Sequence, residues 1–162
     1  MDGGGAGANR IEVRIQREDF DASAQAAALT RGRTDVGAIV TFTGLCRDEG
    51  GKLTALELEH YPGMAEEEIS RVAAEAESRW PILGGVAIHR YGKIAPGENI
   101  VLVVVASSHR AAAFEAAEFM MDYLKTRAPF WKKEHLADGG QGDWVEAKDA
   151  DDEAADRWRK AQ

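Results

Sequence analysis

The chain is poor in the residues that staple, break or anchor a fold. Its 162 residues include one cysteine, Cys46. That excludes an internal disulfide and any multi-cysteine metal site, and it fits a reducing compartment. The four prolines stand at 62, 81, 96 and 129. Each falls where the periodicity changes, so they punctuate elements and do not interrupt them. No apolar run reaches the ~18 residues that a membrane span requires. The opening "MDGGGAGANR" has neither the basic start nor the apolar centre of a secretion signal, and it reads as a flexible leader over residues 1–10. Positive charge is scarce as well: 20 Lys and Arg stand against 28 Asp and Glu, for a formal charge of −8. Such a surface repels nucleic acid, which argues against non-specific binding to it. Zinc-spaced ligands, a Gly-rich phosphate loop and a Ser-His-Asp arrangement are all missing, so no metal or cofactor is expected.

What remains is ordinary for a soluble globular protein: 44% hydrophobic and 30% charged residues. The length suits one domain over residues 11–160, burying roughly 70% of its unfolded surface, and a cytoplasmic location is expected. "IEVRI" alternates as a strand does, and "DASAQAAALTR" reads as a helix with Asp21 or Ser23 as N-cap. "VGAIVTFTG" and "LTALELEHY" read as strands on either side of a charged loop. "MAEEEISRVAAEAESRW" is a helix that buries Ile69, Val72, Ala73, Ala76 and Trp80, with Glu66, Glu67 and Glu68 at the positive end of its dipole. "GVAIHRYGKI" and "NIVLVVVAS" form a hairpin through "APGE". "HRAAAFEAAEFMMDYLKTR" is a strong helix with Ala113, Ala117, Met120 and Leu124 on one face, flanked by Phe114 and Met121. "GDWVEAK" is a candidate short strand and "DADDEAADRW" a final acidic helix. Adjacent strands without intervening helices predict an α+β fold with a mixed or antiparallel sheet, packed helices and a small C-terminal β subdomain.

Three segments carry chemistry. In "VVVASSHR" a buried strand runs straight into a helix, with Ser108 as the expected N-cap. The free amides of such a terminus favour anions; Arg110 adds a planar donor fork, and His109 a group that titrates near neutrality. Taken alone, the same residues also fit a solvated arginine beside a capping histidine. In "YLKTRAPFWKKE" the cations Lys125, Arg127, Lys132 and Lys133 surround an apolar Pro-Phe-Trp turn, an odd pairing in so acidic a chain. A lysine walled by Phe130 and Trp131 among other cations could act as acid, base or nucleophile. Its plain alternative is a helix-end lysine beside core aromatics. His109 and Lys125 lie roughly 25 Å apart along one helix, so a site using both needs a second copy of the chain or a loop folding back. In "FTGLCRDEG", Arg47 follows a strand, and Cys46 is either a small buried hydrophobe or a thiol activated by Arg47. His60, His89 and His135 show no partners and read as structural or surface residues.

Five blocks, in order, resemble one family: "GAIVTFTGLCR" (37–47), "LELEHYPGM" (56–64), "RWPILGGVAIHRYGKIAPGE" (79–98), "SSHRAAAFEAAEFMMDYLKTRAPFWKKE" (107–134) and "WVEA" (144–147). The family is that of the large, catalytic subunits of molybdopterin synthase. The resemblance implies an α/β-hammerhead-like fold and a central homodimer within a heterotetramer. It also implies sulfur transfer from the Gly-Gly thiocarboxylate tail of a small ubiquitin-like carrier to cyclic pyranopterin monophosphate, giving the dithiolene of molybdopterin. It places Lys125 and Lys132 on the catalytic lysines and His109 and Arg110 on the phosphate-binding pair. Arg47 falls on an arginine contributed from across the dimer. Leu45, Cys46, Lys133 and Glu134 fall within the substrate-binding stretches, although Leu45 and Cys46 depart from the basic residue and valine common there. The rivals are a non-catalytic phosphate-ligand binder and a sulfurtransferase carrying persulfide on Cys46.

Overall fold

The computed structural model describes residues 10–145 and 149–160. Of the leader expected at 1–10, residues 1–9 lie outside them, as do positions 146–148 of the candidate strand "GDWVEAK". The elements run β1 (Ile11–Gln16), α1 (Ala22–Thr30), β2 (Ala38–Leu45), β3 (Leu53–His60), α2 (Met64–Arg79), β4 (Ile82–Arg90), β5 (Gly92–Ile94), β6 (Asn99–Ser107), α3 (Arg110–Arg127), β7 (Phe130–Leu136) and α4 (Asp149–Lys160). The fold is α+β, as the element order predicts. A mixed four-stranded sheet has the order β1-β4-β6-β2, and an antiparallel three-stranded sheet has the order β5-β3-β7.

The larger sheet is covered on both faces. Along β6 the odd residues Val101, Val103 and Val105 join the core beneath α2 and α3, where Phe119, Met120 and Tyr123 lie. The even residues Leu102 and Val104 join Val86 and Ile88 beneath Phe20, Ala26 and Leu29 at α1. Double burial is why this strand reads as an unbroken apolar run and not as an alternation. The buried stripe of α2 holds Ile69, Val72, Ala73 and Ala76 as expected and extends to Ala65, while Trp80 is half-buried. Trp80 caps that helix, and its ring meets Phe119 edge-on at 5.3 Å. At the other end of α2, Glu66 accepts from the Gly63 amide (3.1 Å). On α3, Ala113, Ala117, Met120 and Leu124 are buried as expected, while Phe114 is 60% exposed.

Three local expectations change. The β4–β6 hairpin forms, but its connection first contributes β5 to the smaller sheet. The N-cap of α3 is His109 and not Ser108: His109 keeps an extended backbone while its carbonyl receives the first helical bond, from Ala113 (3.4 Å). A strand the sequence did not suggest, β7, follows Pro129, and among the described residues of "GDWVEAK" Val145 forms an isolated bridge to Lys132. Strand β7 pairs with β3, setting Glu57 opposite Lys133 and Leu58 opposite Lys132. Pairing with β3, with the one opposite-charge pair Glu57 and Lys133, thus orders a segment whose own composition says little.

Candidate active site

Helix α3 packs back along β6, so its C-terminal end lies beside the start of that strand and the end of β2. The smaller sheet meets the larger one at the same place. A cavity of about 440 Å³ opens there. Its apolar wall includes Phe42, Leu45, Leu56, Leu58, Ile100 and Met121, and its polar lining includes Lys125, Arg127 and Lys132. Lys125 comes from the last turn of α3, where the helix dipole favours a cation. Pro129 ends the helix segment, and β7 starts at once with Phe130. Strand alternation then turns Lys132 to the cavity and Lys133 to the other face, where its ammonium lies 4.7 Å from the Trp144 ring centroid. Among the described residues no carboxylate lines the cavity.

The structure thus brings together Lys125, Lys132 and Leu45, with Phe130 and Trp131 between the lysines as expected. It does not bring the other candidates into this cavity. Arg47 is exposed two residues beyond Leu45, near Glu49 (3.7 Å). Lys133 and Glu134 continue along β7 outside it. His109 and Arg110 are exposed at the opposite end of α3, where no side chain caps the helix. There a Cβ on Gly37 would sit 2.0 Å from the Ser108 carbonyl oxygen, so only glycine lets β2 run against that turn.

Cys46 is 4% exposed and belongs to the small core formed with Leu53, Leu58 and Ile94. Burial pushes its thiol pKa up, and the charges of Glu98 and Glu49 add to this. A thiolate nucleophile needs the reverse environment. The Cys46 backbone is also engaged, donating to Glu98 (2.9 Å) and accepting from Gly97 (2.7 Å).

One residue read as structural belongs to the cavity. His89 lines it and stacks on Phe130 at 3.8 Å with the rings 14° from parallel. His60 lies 5.7 Å from Phe130. His135 does find a partner, Glu57, at 2.9 Å. Among the described residues no group of three or more His, Cys, Asp or Glu could hold a metal ion, and no helix is long and apolar enough to cross a membrane.

Fold and cavity together define a class: an α+β protein with a cationic, aromatic-walled pocket suited to an anionic ligand. Residues 15–127 match the family model described as MoaE protein. A molybdopterin synthase catalytic subunit from Mesorhizobium japonicum is 70% identical over 149 residues, covering 92% of this chain and 94% of that protein. The solved molybdopterin biosynthesis MoaE protein from Burkholderia ambifaria superposes with a TM-score of 0.79 at 47% identity, covering 92% and 98% of the two chains. At 19% identity, a chain of the complex of subunits 1 and 2 of molybdopterin-converting factor from Helicobacter pylori shares the fold, with a TM-score of 0.66 and coverage of 86% and 90%. The chain belongs to the MoaE family.

Proposed function

We propose that this chain is the catalytic subunit of a molybdopterin synthase in molybdenum cofactor biosynthesis. It moves sulfur from the C-terminal thiocarboxylate of a small ubiquitin-like carrier to cyclic pyranopterin monophosphate. The observation that carries this is the convergence of Lys125 and Lys132 on one aromatic-walled cavity. Substrate phosphate and thiocarboxylate are both anions, and fixed cations in a partly apolar pocket offset their repulsion while holding them in line. A lysine there can protonate the leaving oxygen or capture the acyl group of the tail. Leu45 supplies apolar wall, and Cys46 anchors the turn that presents Arg47.

His109 and Arg110 serve the site of a second copy. Their helix end offers uncapped amides and a guanidinium for phosphate but no enclosing walls, while the Lys125 end has walls. The edge strand β2 leaves Ile39 and Phe42 exposed, as α3 leaves Phe114, and these apolar side chains favour a central homodimer flanked by two carriers. Arg47, Lys133 and Glu134 complete the substrate-binding set, with Arg47 reaching across the dimer. The reaction belongs in the cytoplasm, where the Cys46 thiol stays reduced.

The test mixes the purified chain with thiocarboxylated carrier and cyclic pterin and assays dithiolene formation. Product with the wild-type chain, and its loss with Lys125→Ala or Lys132→Ala, is the expected result. Pterin binding without product would leave the non-catalytic binder.

A further inference from the structure

His89 sits on β4 opposite Val101, and both line the cavity beside Lys125. Its ring is held twice, by the stack on Phe130 and by an Nδ1 contact of 2.8 Å to the Arg90 carbonyl oxygen. A carbonyl only accepts, so Nδ1 carries the hydrogen and Nε2 keeps its lone pair. Burial holds the ring's pKa down to about 4, with the charges of Lys125 and His60 adding to it, so this neutral form persists at physiological pH. The other polar side chains of the cavity are of the opposite kind. Lys125, Arg127, Trp131 and Lys132 only donate. The Thr126 hydroxyl is turned to its own helix, donating to the carbonyls of Asp122 (3.2 Å) and Tyr123 (3.4 Å).

Among the described side chains the cavity therefore offers cations to an anion and, besides the helix-facing Thr126 hydroxyl, one ring acceptor to an N–H. An extended glycine tail brings both: a terminal anion, and backbone amides that must pass apolar walls. We propose that His89 is a specificity-determining residue of this pocket, its Nε2 accepting a backbone amide N–H of the carrier tail whose anionic end lies at Lys125. This rests on the functional assignment above and names the group that recognises the tail's backbone. An amide buried there without an acceptor would bind about tenfold more weakly.

The experiment uses carriers semisynthesised with N-methylglycine in place of each terminal glycine in turn, titrated into wild-type chain and His89→Phe. Phenylalanine keeps a flat ring on Phe130 but has no acceptor. Methylation at one glycine is expected to weaken binding to wild type about tenfold. His89→Phe should weaken the unmodified carrier similarly and abolish the further effect of methylation, whereas His89→Gln should recover part of the affinity. A methylation penalty of equal size in wild type and His89→Phe is steric and overturns the proposal. Should His89→Phe fail to fold, the ¹⁵N resonance of Nε2 in the wild-type chain decides. It should move on adding normal carrier but not the carrier methylated at the sensitive glycine; the same movement with both overturns the proposal. If removing both glycines leaves wild-type affinity unchanged, the pocket takes no tail, and the functional assignment falls together with this inference.

Discussion

Helix α3 carries positive charge at both ends, and the two ends are built in opposite ways. At the N-terminal end Arg110 adds to the positive pole of the dipole, the first amides have no side-chain cap, and the residues are exposed. Such an end attracts an anion but encloses nothing. At the C-terminal end Lys125 and Arg127 are also exposed, and they meet the negative pole, which offsets part of their charge; there, however, two sheets supply the apolar walls of a cavity that Lys125 lines. That end can position a reacting group against those walls. Neither has both properties, and one chain keeps them a helix length apart. On the proposed function, the site joins the C-terminal end of one copy to the N-terminal end of another.

The strongest way to break this comparison is to remove charge at the enclosed end. Lys125→Ala should reduce turnover by roughly 10²–10³ with the fold intact, the usual cost of deleting one preorganised electrostatic group. Activity within a few-fold of wild type, with circular dichroism unchanged, would move the reaction away from this cavity.

The second prediction probes the walled end by pH. The folded pKa of His89 lies at about 4, against 6.5 for the unexposed-to-partners, unfolded ring. Between those values the unfolded chain takes up a proton and the folded one does not. Stability is thus fully present above about pH 6.5 and falls as the pH drops towards 4, by up to about 3 kcal/mol. His89→Phe should flatten that part of the denaturation profile relative to wild type. Urea melts at pH 7 and pH 4.5 read both proteins, and equal acid sensitivity in wild type and His89→Phe would contradict the buried neutral ring.

His89 also marks where sequence ran out. Helices α2 and α3 were legible because their apolar residues repeat at helical spacing, and β6 because burial on both faces writes a valine run. Both lysines were legible as an anomaly, cations around aromatics in an acidic chain. Strand β7 was not, since "FWKKEHL" has no apolar alternation of its own and takes its order from pairing with β3. One pair did carry a signal: Glu57 of "LELEH" faces Lys133 of "KKEH". The role of His89 depends on a ring contact with Phe130, distant in the chain, which no local pattern encodes. The distance between the two ends of α3, by contrast, followed from helix rise alone; that rise left a second copy and a folded-back loop both open.

The third prediction sharpens the comparison by joining ends from different chains. Arg110→Ala should cost about 10- to 100-fold in activity, the scale of a lost charge-assisted hydrogen bond. Dimers pairing an Arg110→Ala chain with a Lys125→Ala chain hold one doubly damaged site and one intact site if the ends combine across copies. Such dimers should regain up to half of wild-type activity, and so should Arg47→Ala paired with Lys125→Ala. No recovery in either mixture would mean that each chain completes its own site.

The smallest effect is expected at Cys46, which lies one residue from the cavity wall but belongs to neither cationic end. Its sulfur sits in the small core, 3.9 Å from the Ile94 carbonyl oxygen, and burial disfavours the thiolate. Serine is close to isosteric, so Cys46→Ser exchanges a weakly polar buried group for a hydroxyl that the Ile94 and Arg47 carbonyls can satisfy. Turnover should stay within about two- to three-fold of wild type, and stability should fall by about 1 kcal/mol, the range of a modest polar change in a core. The thiol should also react slowly with a maleimide at neutral pH while the chain is folded. The decisive comparison is sulfur transfer by Cys46→Ser and by wild type from the same thiocarboxylated carrier. Complete loss in the folded serine variant would instead put the Cys46 thiol in the reaction, as acceptor of the tail's acyl group in a thioester with release of hydrosulfide, and take the lysine pocket out of the first step.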